Sequence, residues 1–167
     1  MKAAQVLQEL NKDFETAAEW LLFYEDRLRQ WEQDSRYIRE EIAGSNMDWC
    51  VTASTGTGDG VVYKVISIEE LERQEKWLLT VELVHEMLSP KKQVFLAVRR
   101  AARRKNQTVK GHEVWRGYVQ TQYAEDMAKK YGATPDKFWL TDKTITEWWR
   151  ELVELTRCIA YKRGCGF

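Results

Sequence analysis

The sequence predicts an all-α fold, and three features of its 167 residues indicate it. Residues 2–43 contain neither proline nor glycine, and their apolar residues recur mostly three and four positions apart, the period of an amphipathic helix. Later segments begin with helix start signals, at Ser89-Pro90 and at Thr141. One short β-branched run, residues 61–66, cannot form a sheet alone. With 44% apolar residues, the chain can bury one ordinary domain or two small ones.

The first helical segment carries an apolar stripe that extends from Val6 through Leu21 to Ile42. Asn11 or Asp13 could begin a second helix within it, because both side chains cap helix N-termini. A stripe of this length requires a partner, which is either another helix of the chain or a second subunit. A homodimer is therefore one prediction.

Residues 44–60 are rich in Gly, Ser and Thr and are predicted to form a linker, with Gly44 ending the preceding helix. Residues 61–66 could be extended. Ser67 and Glu70 match a capping box, so the next helix is predicted to begin at Ser67. Its apolar stripe is the natural partner of the first, and together they give an N-terminal helical hairpin.

The formal net charge of zero hides an asymmetry between the two halves of the chain. Residues 1–90 hold 9 Lys and Arg against 18 Asp and Glu, a net charge of −9, whereas residues 91–167 hold 17 against 8, a net charge of +9. We divide the chain into an acidic helical segment, 1–88, for dimerisation or partner contact, and a basic domain, 89–167. DNA would be attracted to the basic domain; alternatively, the two halves neutralise each other by packing together.

The helix that follows Pro90 is the most basic part of the chain. It carries seven cations in fifteen residues and no acid. The functional interpretation is contact with DNA phosphates, and the candidate residues are Arg99, Arg100, Arg103, Arg104 and Lys105. The alternative is a helix that faces the acidic N-terminal segment.

The last part of the chain has the pattern of a helix-turn-helix unit. A helix that ends at Gly132 is followed by a connection in which Phe138, Trp139 and Leu140 are expected to anchor in the core, and then by a longer helix capped by Thr141. Small, polar and cationic side chains on its first turns suit hydrogen bonding to base edges in a major groove, or to phosphates. The candidate DNA-reading residues are Thr141, Lys143, Thr144, Thr146, Glu147 and Arg150.

Other chemistry finds little support in the sequence. Three cysteines at no metal-binding spacing are expected to be reduced, with Cys158 in the core, and residues 160–167 are expected to be a frayed basic tail that adds phosphate contacts. No Ser/His/Asp or Cys/His set is suggested by spacing, so we predict no enzyme activity, no metal and no cofactor. The lack of a signal peptide or a long apolar run predicts a cytoplasmic protein with no membrane partner.

The order of these elements resembles phage late-gene transcriptional regulators of the RinA/ArpU type. The segments that carry the resemblance are YIREEIAGS, ISIEELERQEKWLLTVELVHEML and FWLTDKTITEWWRELVELTRCIAYKRG. The C-terminal part of that family is similar to region four of bacterial sigma factors. The resemblance implies a sequence-specific binder of double-stranded DNA in the cytoplasm of a bacterial host. It also implies an activator of phage or prophage late genes, for packaging and structural proteins, that engages host RNA polymerase.

Two other binding functions remain open from the sequence. A phage terminase small subunit also joins a helix-turn-helix to helical oligomerisation segments and would bind packaging-site DNA as a ring. A non-enzymatic helical adaptor would instead use the basic helix to bind an acidic protein.

Overall fold

The computed structural model describes residues 3–44, 59–105 and 115–167, and these residues form helices and no strands. The prediction of an all-α fold is confirmed. The α-helices are α1 (Ala3–Leu22), α2 (Tyr24–Gly44), α3 (Asp59–Met87), α4 (Pro90–Lys105), α5 (Trp115–Tyr131) and α6 (Asp142–Lys162). Between α5 and α6 lies a short 3-10 helix, Pro135–Phe138.

The first apolar stripe is divided between two helices at Phe23, so the break expected at Asn11 or Asp13 was placed wrongly. Asn and Asp cost a helix interior only about 0.7 kcal/mol relative to Ala, which is less than burial of Ala17 and Leu21 returns. At the bend, the Leu21 carbonyl accepts a hydrogen bond from an arginine of α4 rather than continuing the helical ladder. Helix α2 ends at Gly44, as predicted.

Helix α3 begins at Asp59, so neither the extended stretch at 61–66 nor the start at Ser67 is correct. β-Branched residues lower helix propensity only slightly, and a short run with no partner strand gains nothing from extension. Most of the predicted linker, residues 45–58, lies outside the described part of the chain. Helix α3 packs on α2 as the predicted hairpin partner, and the indole Nε1 of Trp31 donates to the Leu71 carbonyl at 3.1 Å.

The start and stop signals of the basic half are largely confirmed. Helix α4 begins at Pro90. Helix α5 ends before Gly132, whose φ of 61° is the left-handed conformation that glycine tolerates best. The Ala133 N–H then donates to the Ala128 carbonyl at 3.0 Å, which closes the helix end. Residues 106–114, between α4 and α5, lie outside the described part of the chain.

The connection between α5 and α6 places Phe138 and Leu140 against the core, as predicted, but leaves Trp139 55% exposed. The expectation that Trp139 is a core anchor is therefore wrong. Trp139 has extended backbone angles, and in extended backbone neighbouring side chains point to opposite sides. Because Phe138 and Leu140 point inward, Trp139 points outward.

The end of the chain is folded and not frayed. Gly164, with a φ of 69°, turns the chain back after α6. Cys165 is buried, the Gly166 carbonyl accepts from the indole Nε1 of Trp77 at 3.0 Å, and the Phe167 ring meets the Trp77 ring edge-on at 5.2 Å. These backbone and ring contacts hold the tail against α3.

Cys158 is exposed, so its prediction as a core residue is wrong. The buried residues of α6 centre on the side that carries Leu152, Val153 and Thr156. At 100° per residue, Cys158 lies on the opposite side of the helix.

One continuous core contains buried residues from both halves of the chain. Helix α6 packs against α1, α3 and α5, while α4 packs against α5 and α1. In the acidic half, Trp20 and Trp77 stack with ring centroids 5.4 Å apart. The domain boundary predicted near residue 88 remains a prediction. Residues from both sides of that boundary pack into the same core.

Candidate nucleic-acid interface

The first turn of α6 is held in place by a hydroxyl cap. The Thr141 hydroxyl accepts from the Thr144 N–H at 3.2 Å, which confirms Thr141 as the N-cap. The two hydroxyls of Thr141 and Thr144 also hydrogen-bond to each other at 2.9 Å. Thr146 donates to the Asp142 carbonyl at 2.9 Å. These hydroxyls therefore fix the geometry of the helix start and keep lone pairs for further contacts.

Lys143, Glu147 and Arg150 follow one another at spacings of four and three residues, so they share one face of α6. The Lys143 side chain is 84% exposed, and its Nζ lies 3.9 Å from a carboxylate oxygen of Glu147. An exposed pair at that distance contributes little to stability. Arg150 is exposed as well. This face can therefore rearrange to meet a ligand at small cost.

The opposite face of α6 is fixed by the core. Ile145 is fully buried. The Trp148 ring meets the rings of Phe95 and Tyr123 edge-on, at centroid distances of 5.5 and 6.0 Å. The Gln120 amide of α5 donates to both the Leu140 carbonyl and the Asp142 carboxylate at 3.1 Å. Helix α6 is therefore presented rigidly at its N-terminal end.

Three of the arginines assigned to DNA phosphates instead contact the protein itself. The guanidinium of Arg99 lies over the rings of Trp115 and Trp149, at 3.9 and 4.8 Å from their centroids. Arg100 Nε donates to the Leu21 carbonyl at 2.8 Å, and burial lowers the pKa of Arg100 from its usual value.

Arg103 forms an ion pair with Asp26 and lies over the Phe23 ring at 3.7 Å. These contacts match the alternative in which α4 faces the acidic segment. For Arg104 and Lys105 the structure describes the backbone but not the side chains, so their assignment stays a prediction.

Three exposed cations at the end of α5 and in the connection to α6 are absent from the sites predicted from the sequence. Lys129 and Lys130 lie in the last turn of α5, and Lys137 lies in the 3-10 helix. All three are exposed, close in sequence to the exposed rings of Tyr131 and Trp139. The signal that could have found them is the clustering of cations at the end of a helix and in the connection that follows it.

In comparisons with protein-family models, curated proteins and solved structures, none matched this chain. Among the described residues, no helix is both long and apolar enough to cross a membrane. In the same residues no three His, Cys, Asp or Glu side chains are grouped so that they could hold a metal ion. The prediction of no cofactor and no catalytic residue remains a prediction.

Proposed function

We propose that this protein binds double-stranded DNA sequence-specifically and regulates transcription, as an activator of phage or prophage late genes. The observation that carries the proposal is the start of α6: one face fixed by the core, and Lys143 and Arg150 exposed on the other. A rigid helix with exposed cations and hydroxyls on its first turns suits insertion into a major groove. The late-gene role rests on the resemblance to RinA/ArpU-type regulators alone.

The contacts of the basic half support a revised division of roles. Lys143, Thr146 and Arg150 are the base-reading candidates, because their side chains are exposed on the first turns of α6. Thr141 and Thr144 support the helix start through the cap. Glu147, beside Lys143, can accept from a cytosine amino group.

In this proposal, the residues that contact DNA phosphates are Lys129, Lys130 and Lys137. Arg99, Arg100 and Arg103 are left out, because their guanidinium groups are used within the protein. Lysines that contact only phosphates attract any duplex and carry no sequence information.

The test is selection of tight binders from random-sequence duplexes, followed by fluorescence anisotropy of the selected duplex and a scrambled control across a salt series. We expect Lys143→Ala and Arg150→Ala to weaken binding of the selected duplex by about 1–3 kcal/mol each. Lys76→Ala, an exposed change in the acidic half, is the matched control and should bind normally. Failure to bind either duplex at low salt would reject the proposal.

The three flanking lysines should behave differently in the same assay. Replacing Lys129, Lys130 and Lys137 together by Ala should weaken the selected and scrambled duplexes equally and flatten the salt dependence, because counterion release falls with each lost phosphate contact. Loss of discrimination between the two duplexes would instead assign these lysines to base reading.

A terminase small subunit is the second candidate, favoured by exposed apolar residues on the first turns of α1. Val6, Leu7 and Leu10 are 40%, 61% and 43% exposed, which suits contact between subunits. Light scattering after size exclusion separates the two candidates. A monomer or dimer supports the regulator, and a ring of eight or more subunits supports the terminase subunit.

A further inference from the structure

A pocket of about 320 Å³ lies where α1, α2, α3 and the tail meet. Its apolar wall contains the stacked rings of Trp20 and Trp77 and the ring of Phe167. The volume is at the small end of the range of ligand-binding pockets, so a compact organic molecule would fill it. This pocket is separate from the proposed DNA surface, because the tail follows the end of α6 and the DNA surface is at its start, roughly 30 Å away along the helix.

Two arginines from different helices line this pocket, Arg27 from α2 and Arg73 from α3. Arg27 lies over the Trp20 ring at 4.0 Å, and its Nη2 donates to Glu19 at 3.2 Å. Arg73 donates through Nε and Nη2 to the two oxygens of Glu70, at 3.0 and 2.9 Å. Each guanidinium carries five N–H donors, so each has donors beyond those that these carboxylates occupy.

Both guanidiniums line this one pocket. Burial lowers the pKa of Arg27, the carboxylate of Glu19 opposes this, and the positive charge of Arg73 lowers the pKa further. Glu19 binds Arg27, and Glu70, which also lines the pocket, binds Arg73. An anionic group that reaches both guanidiniums would accept charge-assisted hydrogen bonds from their remaining N–H donors.

Two side-chain amides add neutral donors and acceptors to the same pocket. Gln30 and Gln74 both line it. Gln74 donates to Glu70 at 3.1 Å, and Gln30 donates to Asp34 at 2.8 Å. Each amide has a second N–H and a carbonyl oxygen for other contacts. Convergent polar groups beside an aromatic wall are the usual composition of a small-molecule site.

We propose that this pocket binds a small organic anion, with its phosphate or carboxylate group bound by Arg27 and Arg73 and its apolar part against the partly exposed ring of Phe167. Such a ligand joins α2, α3 and the tail, so it stabilises the folded protein by mass action. The site goes beyond DNA binding and does not depend on it.

The test is isothermal titration calorimetry with phenyl phosphate, benzoate and neutral benzyl alcohol at constant ionic strength. We expect saturable binding of an anionic probe to one site and none of benzyl alcohol. Arg27→Gln and Arg73→Gln should each weaken binding about tenfold, because each removes a charge-assisted hydrogen bond. Arg29→Gln is the matched control, since Arg29 is an exposed residue of the same helix that does not line the pocket.

The outcomes divide clearly. Binding of phenyl phosphate alone identifies a phosphate site, and binding of benzoate alone identifies a carboxylate site. No saturable heat from either anion, equal binding of benzyl alcohol, or equal affinities in all three arginine variants overturns the proposal. Thermal unfolding monitors the fold of each variant, and Arg73→Gln, at the more exposed arginine, carries the test if Arg27→Gln unfolds. DNA binding by Arg73→Gln should be unchanged.

Discussion

Arg100 lies at the junction of α1 and α2, and its side chain supplies a donor that the bend requires. Its Nε donates to the Leu21 carbonyl, and its guanidinium lies 5.1 Å from the centre of the Tyr24 ring. A buried carbonyl that loses its only donor costs about 1–3 kcal/mol. The Arg100 side chain therefore stabilises the bend between α1 and α2.

We therefore expect Arg100→Ala to lower the free energy of unfolding by about 2 kcal/mol. Lys91→Ala, an exposed change on the same helix, should stay within about 0.5 kcal/mol of the unchanged protein. Urea unfolding followed by circular dichroism measures both. Equal stability of the two variants would show that water replaces the arginine at the bend.

Tyr24 predicts a dependence of stability on pH. Its hydroxyl donates to Glu82 at 2.6 Å, and burial, then this hydrogen bond and the charge of Glu82, raise the pKa of Tyr24 from 10.0 to about 12. The folded protein keeps a proton that the unfolded chain releases. The contribution of Tyr24 is therefore complete below pH 10 and is lost as the pH rises toward 12.

The unchanged protein should consequently lose more stability than Tyr24→Phe when the pH is raised from about 9 to about 11. Urea unfolding at both pH values gives the two differences, and other tyrosines and lysines cancel in the comparison. Parallel losses in the two proteins would mean that Tyr24 titrates normally in the folded state.

The sequence predicted some residue roles well and others poorly. The cap at Thr141 was predictable, because threonine just before an amphipathic pattern is a preferred N-cap residue. The directions in which the side chains of Arg99, Arg100 and Arg103 point were not predictable. These residues flank the buried stripe of α4, and a long cationic side chain at such a position can reach either solvent or a neighbouring ring.

The composition of the tail after α6 did not indicate that the tail is folded. Its glycines and cations indicate a mobile end, yet Gly164 allows a tight turn and the next three residues pack on α3. Helix α3 was misjudged for a similar reason, because residues 61–66 carry local strand propensity while the helix continues through them. In the tail, contacts distant in sequence outweigh local preference.

Phe167→Ala should lower the free energy of unfolding by about 1 kcal/mol, through loss of the edge-on contact with Trp77. Tyr161→Ala is the matched control near the same end of the chain, since Tyr161 is 78% exposed. Thermal or urea unfolding compares them. If both changes are neutral, the Phe167 ring contributes nothing to stability.

For the whole molecule, the charge asymmetry predicted that the halves differ but not how they meet. The Arg103–Asp26 ion pair and the packing of α1 on α6 bring the halves together. Helical periodicity identifies apolar stripes, but it does not specify which stripe packs on which. The continuous core could therefore not be derived from the sequence, whereas the all-α class could.

The shared core predicts the behaviour of a fragment. Residues 89–167 alone would expose the side chains of α6 that α1 and α3 cover, so we expect this fragment to unfold without a cooperative transition. Urea unfolding of the fragment and the full chain, followed by tryptophan fluorescence, makes the comparison. A cooperative transition in the fragment would support the independent basic domain that the charge pattern predicts.

The packing of α1 against α6 also decides what a genetic screen would reveal. Random substitutions that abolish function would map to buried positions in both halves, Ala17 and Leu21 as readily as Leu152 and Val153, because any of them reduces the amount of folded protein. A map of sensitive positions would therefore identify the buried core. Variants that keep normal abundance and still lose function would identify the residues of the binding surface.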